Sequence, residues 1–220
     1  MSVQVKICGI NSVESADAAV RAGADYAGLV FHPRSPRALQ PEQARSLAAH
    51  LRGRVRIVAM LANADDARIA AAIANTRPDF LQLHGDESVE RVGDIRSRTG
   101  VAVIKAIPIA EAGDLSAAAT YESVSDMLMF DAKPPVHATR EGGHGAAFDW
   151  QLLRGRTFSR PWLLAGGLNP ENVARAIAVS GASGVDVSSG VETAPGVKSP
   201  DMIRNFIENA RNAHLASARP

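Results

Sequence analysis

The sequence predicts an α/β fold: one single (β/α)8 barrel, the TIM-barrel architecture, spanning residues 1–220. Three observations predict it. Short, apolar, β-rich runs recur every ~20–30 residues, each followed by a pattern of helical period. Eight such units fit into 220 residues, the lower end of the range for this fold. The first run is followed by "CGINS", and neither GxGxxG nor GxxxxGK[ST] occurs anywhere. The rival doubly wound sheet therefore lacks its usual phosphate loop.

The units follow in order. Residues 3–8 alternate as a strand, and a helix starts near Ser12 and ends at the turn "RAGAD". The second strand, 26–31, leads through a Pro-rich loop to a helix at Pro41, whose preceding Gln40 is a poor cap. The third, 55–61, lies in the most apolar stretch of the chain and precedes a helix from Asp65. The fourth, 80–84, and the fifth, 101–107, are followed by helices from Glu87 and Glu111. The sixth, 127–131, ends "MLMFD".

A long connection over 132–148 follows and leads to a helix expected near Asp149. It far exceeds the ~4–6 residue median for such loops. With Gly142, Gly143 and Gly145 as hinges, it reads as a lid over the mouth, in which His144 contacts substrate or solvent. The seventh strand, 162–165, precedes a helix with Asn169 as N-cap, Pro170 at its first position and Gly181 just past its end. The eighth, 184–188, precedes the last helix, from Ser199, and residues 214–220 read as a disordered tail.

Composition narrows the function. Lys+Arg 24 against Asp+Glu 23 leaves a net charge of +1, which gives no electrostatic case for nucleic acid or an anionic membrane. A single cysteine cannot close an internal disulfide and points to a reducing compartment. No secretory leader is read, and no run nears the ~20 apolar residues that cross a bilayer. The expectation is a cytoplasmic monomer or homodimer whose partner is a small molecule.

In barrels of this kind the chemistry sits at the C-terminal ends of the strands. Those ends supply Cys8, His32, Arg37, His84, Asp131, Gly166, Gly167, Ser188, Ser189 and Gly190. Alternation sends Lys6 and Cys8 to the barrel interior and Val5 and Ile7 to the helices. A lone cysteine is often just a small buried hydrophobe, but at the top of strand one a catalytic thiol is equally open. Asp131 emerges from a wholly apolar strand, which suits an acid more than a solvated loop carboxylate.

"LLAGGLNPEN" and "VDVSSGVE" bring Gly166, Gly167, Ser188, Ser189 and Gly190 to the loops after strands seven and eight, where this fold often binds phosphate. Arg37 or Arg34, in a loop stiffened by Pro33 and Pro36, suits a carboxylate. A buried lysine needs a partner. Strand eight closes on strand one, so Lys6 is expected to pair with Asp186, with Lys105 as a second interior lysine. A Schiff base on either lysine, or a metal held by His32, His84 and an acid, is conceivable.

These strand ends carry a resemblance. "VKICGI", "LQLHGDE", "FDAKPP", "GGHGAAFDW", "AGGLNPENV" and "VDVSSGVE…PGVK" stand in the order found in the phosphoribosylanthranilate isomerase family, from Lys6 to Ile207. The resemblance implies an Amadori rearrangement in tryptophan biosynthesis, without cofactor or metal. It implies Cys8 as general base, Asp131 as general acid and Arg37 as receptor of the anthranilate carboxylate. It leaves His84, Gly166, Gly167, Asp186, Ser188, Ser189 and Gly190 to bind substrate, with Gly9 letting substrate approach the backbone. Two other readings are a metal-dependent phosphosugar epimerase and a non-catalytic barrel that binds a phosphorylated ligand.

Overall fold

The structure, a computed structural model, describes residues 2–133 and 147–217, with side chains described as far as residue 213. Eight parallel strands close into a barrel in sequence order. They are β1 (Gln4–Cys8), β2 (Tyr26–Val30), β3 (Arg56–Leu61), β4 (Phe80–Leu83), β5 (Ala102–Ile109), β6 (Met127–Ala132), β7 (Trp162–Leu164) and β8 (Gly184–Val187). Strands buried on both faces read as near-continuous apolar runs, which is why each lies within two residues of expectation at either end.

The helices are α1 (Val13–Ala22), α2 (Pro41–Leu51), α3 (Asp66–Thr76), α4 (Val89–Thr99), α5 (Ser116–Glu122), α6 (Val173–Ser180) and α7 (Pro200–Ser217). Ser12 caps α1 with a reciprocal bond to Ser15, and the left-handed Gly23 ends it. α2 starts at Pro41 without a side-chain cap, as Gln40 foretold.

Two expectations need correction. The helix near Asp149 is only a 3-10 turn, Trp150–Leu153; its four residues run straight into Arg154 and the left-handed Gly155. α6 begins at Val173 rather than Pro170. Asn169 still caps that entry, because Asn169 and Asn172 exchange side-chain-to-backbone bonds of 2.9 Å in each direction, tightening the first turn. α7 runs Pro200–Ser217; of the expected tail, 218–220 lie outside the described residues. The lid reading falls on 134–146, including Gly142, Gly143, His144 and Gly145, and also lies outside them.

Parity along the strands divides the core. Tyr26, Val58, Ile104, Ala106, Met127, Met129, Leu163 and Ala165 fill the barrel interior. Val5, Ile7, Ala27, Leu29, Leu128 and Phe130 face the helices instead. Lys105, between Ile104 and Ala106, therefore points outward. Its ammonium bonds Glu87 at 2.7 Å and the Gly85 carbonyl at 2.5 Å, and it sits 5.5 Å from the Tyr121 ring centroid. It is not an interior lysine.

After β8 the chain adds a small antiparallel hairpin, β9 (Glu192–Ala194) with β10 (Val197–Lys198). Its turn presses on the loop after β2. A Cβ on Gly196 would lie 2.7 Å from the Pro36 carbonyl oxygen, and Asn11 Nδ2 donates to the Gly196 carbonyl at 2.8 Å.

Candidate active site

Residues carried by five strands meet at the C-terminal mouth. β1 brings Lys6 and Cys8, paired in register with Tyr26 and Gly28 of β2. Cys8 is a free, buried thiol. A Cβ on Gly28 would lie 2.9 Å from Cys8 Sγ and 3.2 Å from Lys6 Nζ, so the absent side chain there makes room for both. Lys6 is fully buried and donates to Asp186 at 2.7 Å. Burial alone pushes its ammonium down, but Asp186 and Cys8 outweigh this and hold it above the ordinary lysine value. The expected Lys6–Asp186 pair is present, and Asp186 is engaged by protein.

Beside it lies a cluster of three charges. Arg37 is buried, whereas Arg34 is exposed. The Arg37 fork donates from Nε and Nη2 to the two Glu192 oxygens at 2.6 and 2.7 Å. Lys198 Nζ donates to the same carboxylate at 2.8 Å and to the Ser188 carbonyl at 2.9 Å. Burial pushes the Glu192 carboxyl up, but the Arg37 bonds and the Lys198 charge overcome it and hold it below the ordinary value. For Lys198 burial prevails over Glu192 and holds the ammonium below its ordinary value. Two cations share one carboxylate here, so the cluster has a positive surplus.

The stem of Arg37 also explains Gly9. A Cβ there would overlap the Arg37 side chain and lie 3.2 Å from Ser188 Oγ, and Gly9 has φ +80. Its missing side chain makes room for Arg37 and Ser188. Ser188 Oγ donates to the Cys8 carbonyl at 3.1 Å, tying the ends of β8 and β1 together.

Across the mouth, β4 and β6 carry a different arrangement. His84 Nε2 is 2.9 Å from Asp131 Oδ2, and Gln82 Nε2 is 2.7 Å from His84 Nδ1. Asp131 is 8% exposed, and its Oδ1 accepts from the Ala132 N–H at 2.8 Å. His84 thus touches Asp131. Among the described residues no three His, Cys, Asp or Glu side chains group as a metal-ligand set.

The loops after β7 and β8 pack on one another. Gly166 and Gly167 both have left-handed φ, +85 and +63, which only glycine adopts without strain. A Cβ on Gly166 would lie 2.5 Å from the Ala132 nitrogen and 3.1 Å from Asp131 Oδ1, and one on Gly190 would overlap the Leu168 carbonyl. The Gly167 carbonyl is turned aside to Asn172 Nδ2 at 2.9 Å. Ser189 opens a 3-10 turn, Ser189–Val191. Gly166, Gly167, Ser189 and Gly190 are all half-buried at this rim.

Sequence reasoning missed Gly28, Gln82, Glu192 and Lys198 as parts of the site. Signals existed for three of them. Gln82 is a polar residue between Leu81 and Leu83, with the parity of His84, while Glu192 and Lys198 stand inside "VDVSSGVE…PGVK".

Comparison with known proteins bears on what this mouth does. The family model for N-(5'-phosphoribosyl)anthranilate isomerase matches residues 5–209. The N-(5'-phosphoribosyl)anthranilate isomerase of Paracoccus denitrificans is 52% identical over 210 residues, 96% of this chain and 98% of that protein. A crystal structure of the phosphoribosyl anthranilate isomerase from Thermotoga maritima aligns with TM-score 0.84 at 39% identity, over 96% of this chain and 99% of the other. A structure of such an isomerase in complex with reduced 1-(o-carboxyphenylamino)-1-deoxyribulose 5-phosphate aligns with TM-score 0.82 at 38% identity, again over 96% and 99%.

Proposed function

This chain belongs to the N-(5'-phosphoribosyl)anthranilate isomerase family, and on that premise we propose that Cys8 and Asp131 carry its proton transfers. It is an aldose–ketose isomerase of tryptophan biosynthesis. It converts N-(5'-phosphoribosyl)anthranilate to 1-(2-carboxyphenylamino)-1-deoxyribulose 5-phosphate by general acid–base catalysis. The observation that carries the residue assignment is that a buried thiol and a buried carboxyl stand at the C-terminal ends of β1 and β6.

Asp131, protonated, donates to the ribose ring oxygen. The C1–O bond breaks, the oxygen becomes a hydroxyl, and the anthranilate nitrogen supplies the electrons for a C1=N iminium. Cys8 as thiolate then removes the C2 proton, and the electrons return to nitrogen to give the enolamine. Loss of the proton from the C2 hydroxyl and gain of one at C1 complete the ketone. General acid and base groups typically contribute ~10²–10⁴-fold each.

Arg37 receives the anthranilate carboxylate. Its guanidinium is partly used by Glu192, and the positive surplus shared with Lys198 supports the binding of one more carboxylate. Gly166, Gly167, Ser189 and Gly190 receive the phosphate, a role their left-handed backbone and rim position support. Ser188, His84 and Asp186 act from behind this surface, through the backbone of Cys8, the Asp131 carboxyl and Lys6 respectively.

The decay of anthranilate fluorescence on phosphoribosylanthranilate tests this directly, comparing the parent with Cys8→Ala and Asp131→Asn. Each variant should lose at least ~10²-fold in kcat. A Cys8→Ala protein with most of its activity intact makes the thiol mere packing and removes the assigned base.

A further inference from the structure

We propose that Gln82 is a positioning residue for this reaction: its amide fixes His84 as the Nε2–H tautomer, so that His84 donates to Asp131 and does not take its proton. The proposal rests on the reading of Asp131 as the general acid.

Gln82 lies on the inward face of β4, 1% exposed, where an aliphatic side chain would pack without any polar demand. Its Nε2 reaches His84 Nδ1 at 2.7 Å and Met129 Sδ at 3.5 Å. Its Oε1 is buried with no hydrogen-bond partner among the described residues.

The two groups on its other side decide which way the amide faces. Turned over, the amide would set Oε1 against the Met129 sulfur, a weak acceptor with no proton to give, whereas Nε2 donates toward both the sulfur and Nδ1. The N–H therefore faces His84, and Nδ1 accepts. A neutral imidazole whose Nδ1 accepts carries its proton on Nε2, the nitrogen 2.9 Å from Asp131 Oδ2.

A general acid must keep its proton until the substrate's ring oxygen arrives. A neighbouring imidazole with a bare Nε2 would accept that proton and leave a carboxylate. Here Nε2 already holds hydrogen, and the remaining lone pair on Nδ1 is covered by Gln82. Adding a proton at Nδ1 would set two N–H groups head to head. A core amide with one unpaired oxygen is thus retained where it makes the histidine a donor only.

The test uses the full-length protein labelled with 15N-histidine, together with Gln82→Met, which keeps the length but cannot donate, and Gln82→Glu, which can only accept from Nδ1. In the parent, the His84 signals should show a protonated Nε2 and a bare Nδ1. In Gln82→Met the proton should spread to Nδ1, with kcat down roughly tenfold and KM within about twofold. In Gln82→Glu the proton should move to Nδ1, with a larger loss of kcat.

A parent spectrum with the proton on Nδ1 overturns the proposal even if neither variant folds. So does a Gln82→Met protein with an altered tautomer and parental kcat. Full activity in Asp131→Asn is a separate failure: it removes the acid itself and leaves the His84 spectrum as predicted.

Discussion

The two sides of the barrel mouth treat buried polar groups in opposite ways. On the β1–β2–β8 side, Arg37, Glu192 and Lys198 form a charged cluster with short bonds, and Lys6–Asp186 repeats the device inside the barrel. On the β4–β6 side, Gln82, His84 and Asp131 form a single hydrogen-bonded chain with one carbonyl left unpaired. Fixed charges suit a surface that must hold an anion in one place. A chain of shared hydrogens suits a place where a proton must leave. On the proposed reading, the charged side holds the substrate's anions beside the base Cys8 and is the recognition side, while the other is arranged to release the acid's proton and is the transfer side.

If that division is right, substitutions on the two sides should fail differently. The largest effect belongs to the transfer side. Asp131→Asn should lower kcat by at least ~10²-fold while its melting temperature stays within a few degrees, since the amide fills the same space. Calorimetry and the fluorescence assay on one preparation check both halves; a large thermal shift would erase the contrast.

Next comes Glu192→Ala, on the recognition side. It leaves Arg37 and Lys198 buried together without their carboxylate, which should cost ~3–5 kcal/mol of stability. Thermal unfolding should then move down by roughly 10 °C. A Glu192→Ala protein that melts with the parent would mean the cluster relaxes to solvent and is not structural.

Arg37→Ala should have a smaller consequence, concentrated in KM. A charge-assisted bond made in ground and transition states alike is worth about 1.5–3 kcal/mol, so KM should rise at least about tenfold with kcat changed less. A change confined to kcat would move Arg37 to the transfer side.

The smallest effect sharpens the comparison from outside the mouth. Asp126, just before β6, accepts from Arg96 Nε and Nη2 at 2.9 and 2.7 Å and from the Val103 N–H at 2.9 Å. Burial pushes its carboxyl up, but these bonds win and hold it below the ordinary aspartate value. A depressed carboxylate contributes stability above its unfolded value and loses it as pH falls through the folded one. The melting temperature should therefore drop on acidification below about pH 4, and Asp126→Asn should flatten part of that limb without altering kcat. An unchanged acid limb in that variant would take Asp126 out of the account.

Much of this was legible in the chain, for definite reasons. Strands buried on both faces leave continuous apolar runs, so β1 to β8 stand out. The Lys6–Asp186 pair followed from alternation and ring closure alone. Lys105 departs from its expected interior position because inward and outward differ by one residue of parity, and nothing in "VAVIKAIP" marks which alternate residue faces in. The β9–β10 hairpin escaped because strands of three and two residues carry no periodicity. Gly9 and Gly28 were ambiguous because a glycine does not say what occupies the space it leaves; Arg37, Cys8 and Lys6 do.

The closure of β8 on β1 also sets an order in time. Lys6 and Asp186 are 180 positions apart, and Arg37 and Glu192 are 155 apart. During synthesis, which adds ~5–20 residues each second, the thiol emerges first and waits for most of the chain before its neighbours exist. Long-range pairings of this kind are late and slow to form. An incomplete chain therefore carries Cys8 without the framework around it, and catalysis begins only when the ring has shut. In a refolding experiment, the return of activity should keep pace with docking of the final strand and trail the recovery of helical signal.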